Sequence, residues 1–174
     1  MNPNNKAYQY SIRLLALRDY SRFKLGQKLK LRGHSQEEID KTLNELVQKG
    51  YLKEERYAES RIKALVAKGH SAQFIKQKLE NEKIYLDLTS IEKMGELDHL
   101  SQIKRLLLKK LKQVGPWKKD WHERKKQQDK VLRYLISKGH DFNQCKKALD
   151  KYSQSDVNDA HSGAFYHQED DINF

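Results

Sequence analysis

Cysteine, proline and long apolar runs are all scarce in this 174-residue chain, and each shortage removes a class of protein. Cys145 is the only cysteine, which excludes an internal disulfide, a thiolate metal cage and a CxxC redox pair, and suits a reducing cytoplasm. No segment approaches the roughly 18 apolar residues of a membrane helix. Met1 to Lys6 lack a basic stretch leading into an apolar run, so a soluble, untargeted, cytoplasmic protein is expected. There is no HExxH, no Gly-rich phosphate loop and no nucleophile motif, which leaves an enzyme without a specific residue set. The nearest approach to a metal cluster, His161 and His167 near Glu169, Asp170 and Asp171, fits no defined ligand spacing, so neither metal nor cofactor is expected.

Only Pro3 and Pro116 interrupt the chain, and apolar residues recur at helical rather than alternating spacing, which predicts an all-α fold. The first helix carries Tyr8, Ile12, Leu15 and Ala16 on one stripe; the second follows a Ser21 cap with Phe23, Leu25, Leu29 and Leu31. A capping box at Ser35-Gln36-Glu37-Glu38 opens a third helix through Ile39, Leu43, Leu46 and Val47, which Gly50 ends. The next helix runs from about Glu54 to Lys68, and another starts at Ser71. Thr89-Ser90-Ile91-Glu92 is a further candidate capping box. A helix with Leu100, Ile103, Leu106, Leu107 and Leu111 ends by Gly115-Pro116, a long one reaches Lys138, and Asp141 caps the last.

Self-similarity decides the architecture. Tyr20 to Leu29 matches His70 to Leu79 in its serine cap, in the aliphatic pairs Leu25/Ile75 and Leu29/Leu79, and in Gln-Lys-Leu. Leu31-Arg32-Gly33-His34-Ser35 with Ile39 and Leu43 likewise matches Ser137-Lys138-Gly139-His140-Asp141 with Cys145 and Leu149. These spacings imply about three tandem three-helix repeats, residues 1–52, 53–96 and 97–152, stacked in an elongated array and monomeric. Beyond residue 152, Asp156, Asp159, Glu169, Asp170 and Asp171 face no Lys or Arg and the apolar pattern ends, which predicts a disordered acidic tail over 153–174.

The formal net charge of +11 suits a polyanionic partner, nucleic acid first and an acidic protein surface second. Between Lys104 and Arg133 stand twelve Lys or Arg against Asp120, Glu123 and Asp129. Lys109, Lys110, Lys112, Lys118, Lys119, Arg124, Lys125 and Lys126 are therefore the candidate nucleic-acid or filament contacts, weighed against a merely solvated helix face. Trp117 and Trp121 in the same stretch are candidates for stacking on an unpaired base, with core packing the favoured role. Cys145 occupies the position of Ile39 and is expected to be an inert core thiol; His34, His70 and His140 follow glycines at helix ends and are expected to be structural.

Ala16-Leu17-Arg18-Asp19-Tyr20-Ser21, Gly50-Tyr51-Leu52-Lys53-Glu54-Glu55-Arg56-Tyr57-Ala58 and Lys68-Gly69-His70-Ser71 with Ile75 and Leu79 resemble the RecX family. The likeness resumes from Leu132 to Leu149 and covers most of residues 8–150; Lys53 departs from it, standing where the family usually has an acidic residue. The resemblance implies that this elongated array of three-helix repeats is curved and binds the RecA recombinase and its single-stranded DNA filament. It further implies restraint of ATP hydrolysis and strand exchange, hence a role in recombination, DNA repair and the SOS response, and no catalytic residues. Two rivals stay open: a nucleic-acid binder acting without RecA, and a helix-turn-helix-like transcription regulator. In the first repeat the latter would have to present Gln36, Glu37, Glu38 and Asp40 to phosphates.

Overall fold

The structure, a computed structural model, describes the backbone of residues 6–162 and the side chains of residues 6–153. Among the described residues it is wholly helical: α1 (Lys6–Leu17), α2 (Arg22–Lys30), α3 (Gln36–Gln48), α4 (Glu54–Ala67), α5 (Ala72–Glu80), α6 (Leu88–Gly95), α7 (His99–Val114), α8 (Trp121–Ser137) and α9 (Phe142–Ser162). The chain divides into two compact units, residues 1–99 and 100–174. None of the described helices is long and apolar enough to cross a membrane.

Local capping sets most helix starts. Ser21 accepts from the backbone N–H of Lys24, Ser71 from that of Phe74, and Asp141 from that of Gln144. At α3 the box is reciprocal: Ser35 Oγ accepts from the Glu38 N–H at 3.2 Å while the Glu38 carboxylate accepts from the Ser35 N–H at 3.0 Å. Each such cap contributes about 1 kcal/mol. Lys53, the departure noted above, stands at the N-cap of α4 and makes no side-chain capping bond. The cap of α6 is Asp87, which accepts from the Ser90 N–H at 2.6 Å, and not Thr89 as the sequence suggests.

Three hydrophobic clusters form the interior. In the first unit, Ala7, Tyr20, Leu25, Leu29, Ile39, Leu43, Leu46 and Leu52 close one, and Tyr57, Ile62, Leu65, Ile75, Leu79, Ile84 and Ile91 with their neighbours close the next. The second unit holds the third, built from Ile103, Leu106, Leu107, Leu111, Val131, Leu135, Cys145 and Leu149. Four residues expected on buried stripes are instead exposed: Ala16, Leu31, Val47 and Leu100. Leu31 lies two residues beyond Leu29, roughly 200° around the helix, and is already the C-cap of α2. Val47 lies one residue before the end of α3 and is 48% exposed.

The internal repeat survives in three dimensions. After α2 the N–H groups of Arg32, Gly33 and His34 donate to the carbonyls of Leu29, Lys30 and Leu29; after α5, those of Glu82, Lys83 and Ile84 donate to Leu79, Glu80 and Leu79. Both turns need a left-handed residue, Gly33 at φ 81° and Lys83 at φ 62°, so the second repeat keeps the turn without the glycine.

The repeats differ where Lys24 stands opposite Phe74. Phe74 stacks on His70 with ring centroids 4.0 Å apart. Lys24 instead reaches the second repeat, its Nζ donating to Glu82 Oε1 at 2.7 Å and to Tyr57 Oη at 2.9 Å. Tyr57 donates to Glu82 Oε2 at 2.5 Å, and Arg61 Nη2 lies 3.4 Å from Oε1, so both oxygens of this buried carboxylate are satisfied. Burial alone would raise the Glu82 carboxyl, but the hydrogen bonds from Lys24 and Tyr57 with the charge of Arg61 outweigh it and hold the group below its ordinary range. Lys24 is correspondingly raised: burial opposes its charge, and Glu82 and Tyr57 outweigh burial.

At the other end of the chain α9 continues to Ser162, past the point at which the acidic tail was expected to begin. Residues 163–174, with His167, Glu169, Asp170 and Asp171 of the weakest metal candidate, lie outside the described residues, as does the side chain of His161.

Candidate nucleic-acid interface

The basic segment folds as the second half of α7, a six-residue loop from Gly115 to Asp120, and the first half of α8, all within the second unit. The loop exists because Gly115 takes a left-handed conformation, φ 79°, its N–H donating to the Leu111 carbonyl, and Pro116 cannot continue the helix. Asp120 then caps α8, accepting from the Glu123 N–H at 2.9 Å.

Loop and helix are fastened to each other by side chains. Gln127 donates through Nε2 to the Pro116 carbonyl at 3.2 Å and accepts through Oε1 from the Lys118 N–H at 2.9 Å. Arg124 Nε donates to the Lys118 carbonyl at 3.3 Å. Arg124, a candidate phosphate contact by composition, thus also holds the loop in place. Gln127 is invisible to a reading based on charge, because nothing in the run from His122 to Lys130 singles out one glutamine.

The candidate cations separate into two groups. Lys125 pairs with Asp129 at 3.5 Å, Lys126 with Glu123 at 2.8 Å, and Lys110 donates to Gln113 at 3.2 Å with its ammonium 5.1 Å from the Tyr134 ring. The exposed side chains of Lys109, Lys112, Lys118 and Lys119 have no ion-pair or hydrogen-bond partner among the described residues. Lys109 and Lys112, three apart on α7, lie on one stripe, and Lys118 and Lys119 project from the loop that follows. Four ammonium groups without a counter-charge among the described residues, on one helix end and its loop, make an anion-attracting surface, where a phosphate would displace counterions.

The two tryptophans part company. Trp117 packs against the core cluster of the second unit, as favoured from the sequence, with its Nε1 shielded from solvent and without a hydrogen-bond partner. Trp121 opens α8 with 67% of its surface exposed, its ring edge-to-face with that of His122 at 4.8 Å between centroids. Core packing is therefore the wrong role for Trp121. Cys145 is fully buried; burial, with the charge of Asp141 adding to it, pushes its thiol up to about 11, which leaves no appreciable thiolate near neutrality. Among the described residues no three His, Cys, Asp or Glu side chains gather to hold a metal ion.

A larger cleft of about 510 Å³ lies in the first unit between α2, α3 and the turn at Lys83. It mixes Arg22, Lys30 and Lys83 with Asp40 and Glu54, a balance unsuited to a polyanion.

Residues 7–46 match the family model described as RecX, first three-helix domain. The chain is similar to the Regulatory protein RecX of Vibrio cholerae, 34% identical over 149 residues covering 85% of this chain and 93% of that protein. It is also similar to that of Vibrio campbellii, 30% identical with 84% and 92% covered. In fold it is similar to the crystal structure of RecX from Lactobacillus salivarius, with a TM-score of 0.63, 18% identity, and coverage of 86% of this chain and 96% of that one.

Proposed function

The chain belongs to the RecX family of regulatory proteins, and on that premise we propose that it regulates the RecA recombinase, mostly as an inhibitor. It binds the RecA filament on single-stranded DNA and restrains ATP hydrolysis and strand exchange, in the cytoplasm, during recombination, repair and the SOS response. The observation that carries this is the near full-length correspondence with proteins named Regulatory protein RecX. In our assignment residues 1–52, 53–96 and 97–152 are the three repeats of a monomer. Each repeat makes a weak contact, and the linkage between repeats raises the overall affinity.

Polyanion contact falls to Lys109, Lys112, Lys118 and Lys119, with Lys110, Arg124, Lys125 and Lys126 adding long-range attraction from behind their local partners. Trp121, exposed beside them, is available to stack. No catalytic step is assigned to any residue. A helix-turn-helix role for α3 is disfavoured because Glu37, Glu38 and Asp40 are all exposed on its first turns.

The test is RecA ATP hydrolysis on a fixed amount of single-stranded DNA, titrated with the whole chain, beside the chain's own binding to that DNA without RecA. Inhibition at amounts well below those that cover the bare DNA is expected. Inhibition that tracks coverage of bare DNA would favour a nucleic-acid binder acting without RecA.

A further inference from the structure

Within the second unit, α7, the loop after it and Tyr152 of α9 enclose a cleft of about 390 Å³, in the size range of small-ligand sites, roughly 300–1,000 Å³. Leu108, Leu111, Pro116 and Trp117 give it apolar walls, and Lys112, one of the unpartnered cations, stands at its edge. Leu108 is 37% exposed although it sits on the apolar side of α7. The wall is preformed: Gln127 holds both the Pro116 carbonyl and the Lys118 N–H, and Arg124 holds the Lys118 carbonyl. Little ordering of the loop is left to do when a ligand arrives.

Trp117 offers the cleft its ring rather than its N–H: Nε1 is shielded from solvent, so the part of the side chain that lines the wall is apolar. A ligand suited to this place is flat and apolar on its faces and is tied to an anion that Lys112 can meet. A nucleobase with its phosphate has both properties.

Building on the filament reading above, we propose that this cleft takes one unpaired nucleobase of single-stranded DNA. The ring lies against Leu108, Pro116 and Trp117, and the adjoining phosphate rests on Lys112. Apolar walls accept any base face, so recognition tolerates sequence but discriminates against duplex, whose bases are stacked away. The interface then senses unpaired DNA as well as charge.

The experiment uses the full chain carrying Trp121→Phe, which leaves Trp117 as the single tryptophan of the two in the sequence. It is titrated with oligothymidylate and with an abasic deoxyribose-phosphate oligomer of equal length and charge. Oligothymidylate is expected to bind at least about fivefold more tightly, the low end of one stacked base, and to change Trp117 emission, while the abasic oligomer leaves emission unaltered. Leu108→Gln, at a partly exposed position where folding is not at stake, is expected to abolish the preference, and Trp117→Phe to reduce it. Equal affinities with unaltered Trp117 emission would overturn the base pocket. RecA inhibition measured on the same preparation separates the two ideas: if it persists, only the pocket is lost, whereas its absence in the unsubstituted chain would overturn the RecA reading itself.

Discussion

In the first unit Lys24 and Arg61 converge on one oxygen of Glu82, whereas in the second the exposed Lys109, Lys112, Lys118 and Lys119 meet no carboxylate among the described residues. The residue types are the same and their uses are opposite. A cation whose charge is returned by a buried carboxylate positions helices, here α2 against α4 and the end of α5. A cation left without one is free to release counterions when it meets phosphate. Net charge therefore overstates the surface available to a polyanion, and the pairing of each lysine corrects it.

Glu82 is the residue on which the first unit's cations depend most. Glu82→Ala takes the carboxylate from Lys24 and Arg61 and the acceptor from the Tyr57 O–H, and should cost about 3 kcal/mol of stability by chemical denaturation, with little effect on DNA affinity under conditions where the variant is folded. The folded-state carboxyl is held below its ordinary value of 4.5, so its stabilisation is fully present above that pH and is lost as pH falls through the lowered folded value. Denaturation midpoints between pH 3 and pH 6 should fall with acid in the parent chain and fall less in Glu82→Gln. Equal slopes would show that this carboxylate carries no linked proton.

Reversing the free cations should do the converse. Replacing Lys109, Lys112, Lys118 and Lys119 by Glu is expected to weaken single-stranded DNA or filament binding about 100-fold at low salt and to flatten the salt slope by roughly 3, while leaving the unfolding midpoint nearly unchanged. Lys125 and Lys126 sharpen the contrast, because each already has a carboxylate neighbour. Their replacement by Gln should weaken binding less than the same change at Lys118 and Lys119. An equal loss from both pairs would mean that local ion pairing does not decide which lysines bind.

The smallest effect lies in the turn shared by the repeats. Lys83 holds the left-handed conformation that Gly33 holds in the first repeat, so Lys83→Gly should stabilise the chain by up to about 1 kcal/mol, read as a rise in the thermal midpoint.

Helices, caps and repeats were legible because they are written in local spacing: Ser21, the Ser35 to Glu38 box, and the glycines after α3, α4 and α8 act within a few residues of themselves. Asp87 was missed as a cap because the Thr89-Ser90-Ile91-Glu92 pattern satisfies the same rule two residues later, and only the backbone decides between them. Leu31 misled because sequence proximity to Leu29 is not angular proximity on a helix. The basic segment was legible as composition. Its division into paired and unpaired lysines, the fastening of the loop by Gln127, and the burial of Trp117 but not Trp121 depend on side chains meeting across the loop between α7 and α8. The Lys24–Glu82 link joins residues 58 apart, and its one trace in the sequence is a lysine in the place where the second repeat has Phe74.

In the function proposed above, the chain acts on RecA through Lys109, Lys112, Lys118 and Lys119 and not by coating DNA. The measurement is RecA ATP hydrolysis on single-stranded DNA across a titration of the parent chain and of the variant with Lys109, Lys112, Lys118 and Lys119 replaced by Glu. The parent should halve the rate at amounts far too small to cover the DNA, and the folded variant should need at least about tenfold more. Half-inhibition only at coverage of the DNA, or equal potency of the two proteins, would contradict the account.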